Sequence, residues 1–486
     1  MIVLSVTARL LRACSLLGGL CCSAIVLSQG LEAPPAPALP RPLTLPTPVE
    51  FRLPNGLRLV VVERHRLPLV TAALVVLSGA EVDPPDRAGA ANLTALLLTE
   101  GTRRHSAPEL ARAAAALGST VTSAADWHQS SVAATVTTPQ LPATLALLAE
   151  MVTEPTFAPP DVKRVRDRTL GLAKVARARL STVGSQAAQR LLFGEGTYAH
   201  PVEGTVTSLP TVSRADVIAL HKAHYRPDNA VLVLAGSIDP MTAHRLALRA
   251  FGGWQGAPDS TTYRPAAVAT STDRVMLDVA DSGQAAVVVV LPVPPREAAG
   301  NAAAAVATMA NEVLGGGFSS RLSREIRIRR GLSYGAFSRL DQRREGGLVR
   351  VVVQTKNESA AEVVALIGAE LDGLVREAVP DTELVARKNA LIGSFGRSLE
   401  TTEGLAQALQ ELIATGVTPT YLPQYPADIA AVDAQALRDY AAAHFGPGAR
   451  RFAVVGQQAT FGAALLAQDP RWVSVDMRFV DGAADR

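Results

Sequence analysis

The sequence predicts an α+β protein of two tandem homologous domains, each with an antiparallel-rich sheet and helices packed on one face. Three observations support this fold class. The chain has 486 residues, more than one hydrophobic core usually supports. Hydrophobic residues make up 48% and charged residues 19%, as expected of well-filled cores. Helical and strand patterns alternate from Val49 onward, and single residues of the first half recur in the second.

The first domain is predicted to begin with a β-hairpin. Two strands, Val49–Leu53 and Leu57–Glu63, flank a Pro-Asn-Gly turn, which is a strong hairpin signal. A long apolar strand follows at Leu69–Val82, then a helix that a glycine closes, within Gly89–Thr102. Ser106 and Glu109 form a capping-box pattern that begins the next helix. The remaining predicted elements are strands within 119–137 and 229–236, and helices near 141–153, 160–180, 184–193, 213–225 and 240–251.

The second half of the chain repeats the first at a constant offset. Each of Val212, His224, Tyr225, Pro227 and Gly236 is matched 220 positions later by Val432, His444, Phe445, Pro447 and Gly456. The same offset relates Pro160-Asp161 to Pro380-Asp381, and each pair begins a long predicted helix, where proline loses no hydrogen bond. Two duplicated domains follow from this spacing.

These patterns divide the chain into six predicted segments. They are a signal peptide (1–30), a proline-rich tether (31–48), a first domain (49–251), a Gly/Pro/Ser/Thr-rich linker (252–272), a second domain (273–460) and a C-terminal extension (461–486).

The N-terminal segment predicts export to a periplasm-like compartment. Arg9 and Arg12 flank an apolar run, Ser15 to Ser28, that is short for a membrane span, so membrane contact is expected only if this segment stays uncleaved. All three cysteines lie here (Cys14, Cys21 and Cys22), so the rest of the sequence offers neither a disulfide nor a thiolate metal ligand. The net charge of +3 leaves no basic bias for nucleic acid.

The stretch Gly89–Thr102 resembles the helix on which the pitrilysin/insulinase zinc peptidases carry an inverted His-x-x-Glu-His motif. The resemblance extends from Val49 to about residue 460 and is closest to the processing-peptidase branch. It implies the two-domain, metalloenzyme LuxS/peptidase-like fold. In that family two histidines bind zinc, the glutamate activates water, and a second glutamate about 75 residues later completes the site.

Laid onto this sequence, the family's metal positions have lost their donors. The histidines become Asn92 and Leu96, the water-activating glutamate becomes Ala95, and the last ligand falls at or next to Leu172. None of these side chains replaces imidazole, carboxylate or thiolate at zinc. We therefore expect no catalytic residue, metal or other cofactor in this chain, and no peptidase activity of the chain alone. An unconventional metal site built from Glu100, His105 or His128 stays open as a minor alternative.

A second constellation is intact in the other half of the chain. The glycines Gly315, Gly316 and Gly317 lead through Arg321 to Tyr334. In the resembling family, the equivalent turn, arginine and tyrosine face the zinc and bind the carbonyl oxygen of the peptide. A guanidinium and a phenol suit that role because both are fixed donors toward an oxygen on which charge develops. The alternative is structural: Arg321 as an ordinary first-turn helix residue and Tyr334 as a half-buried strand aromatic.

The resemblance therefore implies a non-catalytic, substrate-binding subunit of an exported heterodimeric zinc peptidase. A homologous partner would carry the zinc and the water-activating glutamate, and an extended or unfolded peptide would be the substrate. Two alternatives stay open: a structural subunit with no part in turnover, and a chamber that binds peptide without hydrolysis.

Overall fold

The first sheet has six strands, built from the first half of the chain. A computed structural model describes residues 45–256 and 272–482. The strands are β1 (Val49–Arg52), β2 (Arg58–Glu63), β3 (Leu69–Val76), β4 (Thr122–Ala125), β5 (Ser130–Thr137) and β6 (Ala230–Gly236), in the order β1-β2-β6-β3-β5-β4. Only the β2–β6 pair is parallel, and β1 and β2 form the predicted hairpin.

The predicted strand Leu69–Val82 is too long, because β3 ends at Val76. Beyond it, the backbone N–H of Ala80 donates to Asp126 and that of Glu81 to Trp127. These bonds fold the chain into a short 3₁₀ turn against the β4–β5 loop. A Cβ on Gly79 would lie 2.1 Å from the carbonyl oxygen of Asp126, so this close approach requires glycine.

The first half of the chain forms seven α-helices in the described residues. They are α1 (Ala90–Leu97), α2 (Ala107–Ala116), α3 (Leu141–Thr153), α4 (Pro159–Arg177), α5 (Leu180–Phe193), α6 (Arg214–His224) and α7 (Pro240–Phe251). The predicted capping box of Ser106 and Glu109 is present at the start of α2.

The second half forms a second six-stranded sheet. Its strands are β7 (Arg274–Asp278), β8 (Ala285–Val293), β9 (Ala336–Asp341), β10 (Gly347–Thr355), β11 (Arg451–Gly456) and β12 (Val473–Val475), in the order β12-β7-β11-β8-β10-β9. Its helices are α8 (Arg296–Leu314, interrupted at Gly300), α9 (Ala360–Arg376), α10 (Asp381–Ser398), α11 (Thr402–Ala414), α12 (Tyr425–Ala431), α13 (Ala434–His444), α14 (Gln458–Gln468) and α15 (Met477–Asp481).

The two halves repeat one another as the sequence predicts, and the fold class is confirmed. Helices α6 and α13 end at His224 and His444, the pair related by the constant offset. Strand pairs β2–β6 and β7–β11 are the corresponding parallel pairs. The predicted domain boundary at residue 460 is wrong, since it falls inside α14 and β12 beyond it forms the edge of the second sheet.

Each sheet is covered on its second face by a helix from the other half of the chain. Alternate residues of a strand point to opposite faces. In β6, Leu232 and Leu234 join the core of the first half, whereas Val231 and Val233 pack with Leu405 and Leu409 of α11.

The reciprocal contact is made by α5, whose Val183, Ala187 and Leu191 pack on β8 and β11 of the second sheet. The prediction of helices on one face therefore describes each half only in isolation. Each half therefore contributes one helix to the sheet of the other half. We call this arrangement the helix exchange, and it packs the two halves together.

A buried arginine makes a further contact between the halves. Arg343, between β9 and β10, is 1% exposed. Its guanidinium carbon lies 4.2 Å from the ring centre of Trp127, 4.8 Å from that of Tyr198 and 5.3 Å from that of Phe193. Its Nη2 donates to the carboxylate of Asp341 at 2.6 Å. We call these three rings and Arg343 the Arg343 cluster; it ties the second half to the first through cation–π contacts.

Four predicted segments fall wholly or partly outside the described residues. They are the signal peptide 1–30 with its cysteines, the tether up to residue 44, the linker from 257 to 271, and the C-terminal extension from 483 to 486. Within the described ranges, none of the helices has the length and apolar character that crossing a bilayer requires.

Candidate functional site

A buried carboxylate holds the start of α1, the helix on which the resemblance places the metal motif. The carboxylate of Asp83 accepts the backbone N–H groups of Gly89 at 2.8 Å and Ala91 at 2.9 Å. Gly89 adopts a φ of 95°, which favours glycine. Burial raises the pKa of Asp83 to about 8, against the opposing effect of these backbone bonds. The start of α1 is therefore held by hydrogen bonds within the chain, and these do not depend on a metal.

The side chains at the four metal-related positions do not fit zinc. Asn92 and Ala95 are buried on α1, and Leu96 packs partly against the core of the first half. Leu172, on α4, is 64% exposed to solvent. Zinc is bound by imidazole, thiolate or carboxylate, and this set offers only one neutral amide.

The three residues of the alternative metal site have separate partners. Glu100 accepts a hydrogen bond from Arg164 at 2.7 Å. His105 bonds Glu150 at 2.8 Å, and His128 bonds the hydroxyl of Tyr198 at 2.8 Å. In residues 45–256 and 272–482, no group of three or more His, Cys, Asp or Glu side chains is arranged to hold a metal ion.

The glycine-rich turn follows α8 and is held against the first residues of β9. The carbonyl oxygen of Gly315 accepts the N–H of Ser338 at 2.9 Å. A Cβ on Gly315 would lie 2.4 Å from that same nitrogen, and one on Gly316 would lie 2.2 Å from the Glu312 carboxylate. Gly317 has more room, with its nearest neighbour at 3.7 Å. Close approach therefore explains the first two glycines of the turn but not the third.

Arg321 is held by a carboxylate that the sequence pattern does not indicate. Its Nε and Nη2 both donate to Glu383, at the start of α10, with the shortest distance 2.9 Å. Both side chains are mostly buried, and Arg324 donates to the same carboxylate at 3.3 Å. An acidic residue in the first turn of a helix is favoured by the helix dipole, so nothing in the sequence distinguishes Glu383 as a site residue.

Tyr334 has the opposite environment. Its side chain is 95% exposed, at the tip of a turn in which the Ser333 hydroxyl donates to the carbonyl oxygen of Gly335 at 2.7 Å. Arg321 and Tyr334 thus lie on the same connection between α8 and β9. Their environments differ, because the Arg321 side chain packs against Glu383 whereas the Tyr334 side chain extends into solvent. The expectation of a half-buried strand aromatic does not describe Tyr334.

A π-helical segment, Ser323–Arg329, begins two residues after Arg321. Such segments are rare and are frequently found at functional sites. Its presence beside the glycine-rich turn marks this connection as the unusual part of the second domain.

The fold and site together define a two-domain zinc-peptidase scaffold that has no zinc-binding side chain at the family's four metal positions and retains a glycine-rich turn. The sequence profile of the insulinase family (peptidase family M16) matches residues 58–205, and that of the peptidase M16 inactive domain matches residues 211–391. The chain belongs to the insulinase (M16) family, as a non-catalytic M16-like protein.

Curated relatives carry names of both kinds, zinc protease and non-peptidase. An uncharacterized zinc protease of Mycobacterium tuberculosis is 29% identical over 358 residues, 73% of this chain and 80% of the relative. A non-peptidase homolog from Helicobacter pylori is 21% identical over 400 residues, covering 82% of this chain and 91% of the relative.

Solved structures show the same fold. A peptidase M16 inactive domain from Pseudomonas fluorescens superimposes with a TM-score of 0.78 at 21% identity, covering 84% of this chain and 98% of that one. A protease from Helicobacter pylori gives a TM-score of 0.77 at 16% identity, covering 85% and 100%.

Proposed function

We propose that this chain is the substrate-binding subunit of an exported heterodimeric zinc peptidase. A homologous partner would hold the zinc and activate the water. This chain would supply Arg321 and Tyr334 to the partner's active site and close the cavity around an extended peptide. Both side chains would donate hydrogen bonds to the peptide carbonyl oxygen as negative charge develops on it.

The exposure of Tyr334 is the observation on which the proposal depends. Transfer of a large aromatic ring from water into a protein contact is worth about 2 kcal/mol or more. A tyrosine that is 95% exposed obtains none of this within its own chain. Its phenol is therefore available to a second molecule, which suits a role in an active site completed by another subunit.

Glu383 fits the proposal as a positioning residue for Arg321. Two of the guanidinium nitrogens are engaged with its carboxylate, so the guanidinium is fixed before substrate arrives. In the described part of the chain, the remaining Nη1 has no hydrogen-bond partner and can donate to a substrate oxygen. Preorganised donors of this kind avoid reorganisation in the reaction.

Coexpression with a partner that carries an intact His-x-x-Glu-His motif tests the proposal directly. Peptide cleavage by the complex should fall about 100-fold or more in Arg321→Ala and in Tyr334→Phe, a typical effect of losing one oxyanion donor. Arg329→Ala is the matched control, because Arg329 is an exposed arginine whose ion pair in the described residues is with Glu325 on the same segment. It should leave cleavage unchanged.

The outcomes separate the alternatives. A stable complex whose cleavage rate is indifferent to both substitutions would show a structural subunit and refute the assisting role. Peptide binding by the purified chain, with no cleavage in any complex, would instead identify a binding chamber.

A further inference from the structure

Two exposed phenylalanines flank the Arg321–Tyr334 connection. Phe318 is 67% exposed and Phe337 is 38% exposed. Their rings contact edge to face with centres 5.4 Å apart. Phe318 comes three residues before Arg321, and Phe337 comes three residues after Tyr334. The pair therefore lies at the two ends of the proposed substrate-binding connection.

The backbone is shaped to hold this pair at the surface. A Cβ on Gly335 would lie 2.4 Å from the ring of Phe337, so glycine at this position leaves room for the ring. Gly315 likewise permits the close approach of its turn to Ser338, directly after Phe337. Two glycines thus bring the segments that carry Phe318 and Phe337 together.

An arginine without a carboxylate partner in the described residues lies over one ring of this pair. The guanidinium carbon of Arg327 is 5.0 Å from the ring centre of Phe318. The neighbouring arginines are all paired: Arg324 with Glu383, Arg329 with Glu325, and Arg330 with Glu325 and Glu362. Across the residues that the structure describes, Arg327 alone of these four makes no ion pair.

We infer that Phe318, Phe337 and Arg327 form a specificity site for the peptide. The site would take a large aromatic side chain against the two rings and an adjacent carboxylate on Arg327. Charge complementarity favours this occupant. The exposed guanidinium of Arg327 can pair with a carboxylate of the peptide, while the two apolar rings contact the neighbouring aromatic side chain. The inference rests on the proposed function and names the class of substrate: extended peptides in which an aromatic residue neighbours Asp or Glu.

Fluorescence anisotropy with the purified full-length chain tests the inference. The probes are three labelled peptides of one length, with Phe-Asp, Phe-Lys or Ala-Asp at the centre of a Gly/Ser background. Phe-Asp should bind about tenfold tighter than either of the others, as expected for one charge-assisted contact or one buried ring.

Two variants assign the preferences to side chains. Arg327→Gln should remove the preference for Asp over Lys and retain that for Phe over Ala. Phe318→Ala should remove the preference for Phe, and its exposure means that folding should be unaffected. Arg329→Gln is the control and should bind like the unmodified chain.

Equal binding of all three peptides, or preferences unchanged in both variants, would overturn the inference while leaving the proposed function intact. Self-association of the chain that Phe318→Ala abolishes, measured by sedimentation, would also overturn it, by assigning the surface to a second copy. Failure of the purified chain to bind any of the three peptides would overturn the inference, whereas the substrate-binding role is judged separately by cleavage in the complex. A complex that cleaves peptides without this selectivity would refute the inference alone.

Discussion

Replacing Arg343 with methionine should destabilise the protein by about 2–4 kcal/mol. The substitution keeps an unbranched stem of similar length and removes the charge. A desolvated cation–π contact contributes about 2 kcal/mol, and the closest ring, Trp127, lies 4.2 Å away. Two further rings add less than their separate values, since contacts that share one cation are not additive.

Two other effects bound this magnitude. The ion pair with Asp341 contributes less than about 1 kcal/mol, because the carboxylate is one-third exposed and screened. Removing a buried charge also relieves a desolvation cost, which offsets part of the loss. The net loss of unfolding free energy in Arg343→Met should therefore be smaller than the loss caused by a substitution that leaves a deep cavity in the core.

Urea unfolding followed by tryptophan fluorescence measures the effect, and a double-mutant cycle with Trp127→Leu isolates the contact. A coupling of at least about 1 kcal/mol between the two substitutions is expected. Arg329→Met, at an exposed ion pair, should change stability by no more than about 0.5 kcal/mol. Strict additivity of Arg343→Met and Trp127→Leu would refute the assignment of the Arg343 cluster as a link between the halves.

Three further predictions follow from packing, backbone and burial. Leu409→Ala, under the first sheet, should cost about 2–5 kcal/mol in thermal unfolding, whereas exposed Leu466→Ala should cost about 0.5 kcal/mol or less; equal effects would contradict the helix exchange. Gly315→Ala should destabilise by more than about 1 kcal/mol through the 2.4 Å clash, whereas Gly373→Ala, in open space on α9, should stabilise by up to about 1 kcal/mol; a stable Gly315→Ala would contradict the turn geometry. Burial raises the pKa of Glu81 from 4.5 to about 8, so its contribution to stability is present below pH 4.5 and lost as pH rises through about 8. Denaturant titrations from about pH 5 to about pH 9 should show the unmodified protein losing stability relative to Glu81→Gln, and parallel curves would refute the shift.

Much of the fold could be predicted from the sequence because its signals are local. The Asn-Gly turn, the Ser106–Glu109 capping box and the alternating patterns each depend on residues a few positions apart. The repeat is not local, but its constant offset is visible by comparing the chain with itself. The end of the strand predicted at Leu69–Val82 is not a local signal, because contacts with a loop about 45 residues later end the strand.

Some features of the candidate site could likewise be predicted from the sequence, whereas others depend on the folded structure. The loss of zinc donors at Asn92, Ala95, Leu96 and Leu172 is a matter of residue type and needs no coordinates. The roles of Arg321 and Tyr334 at a partner's active site stay predictions. The carboxylate of Glu383 and the pairing of Phe318 with Phe337 were found only once the chain was folded.

The sequence by itself determined the duplicated α+β architecture and the absence of zinc-binding side chains at the family's positions, because both are properties of residue type and spacing. The tertiary structure alone decided that α5 and α11 cover each other's sheets, that Arg343 lies among three rings of the other half, and that Tyr334 stands in solvent. These depend on contacts between residues far apart in the chain, which no local pattern records. They also depend on which surfaces remain uncovered after folding.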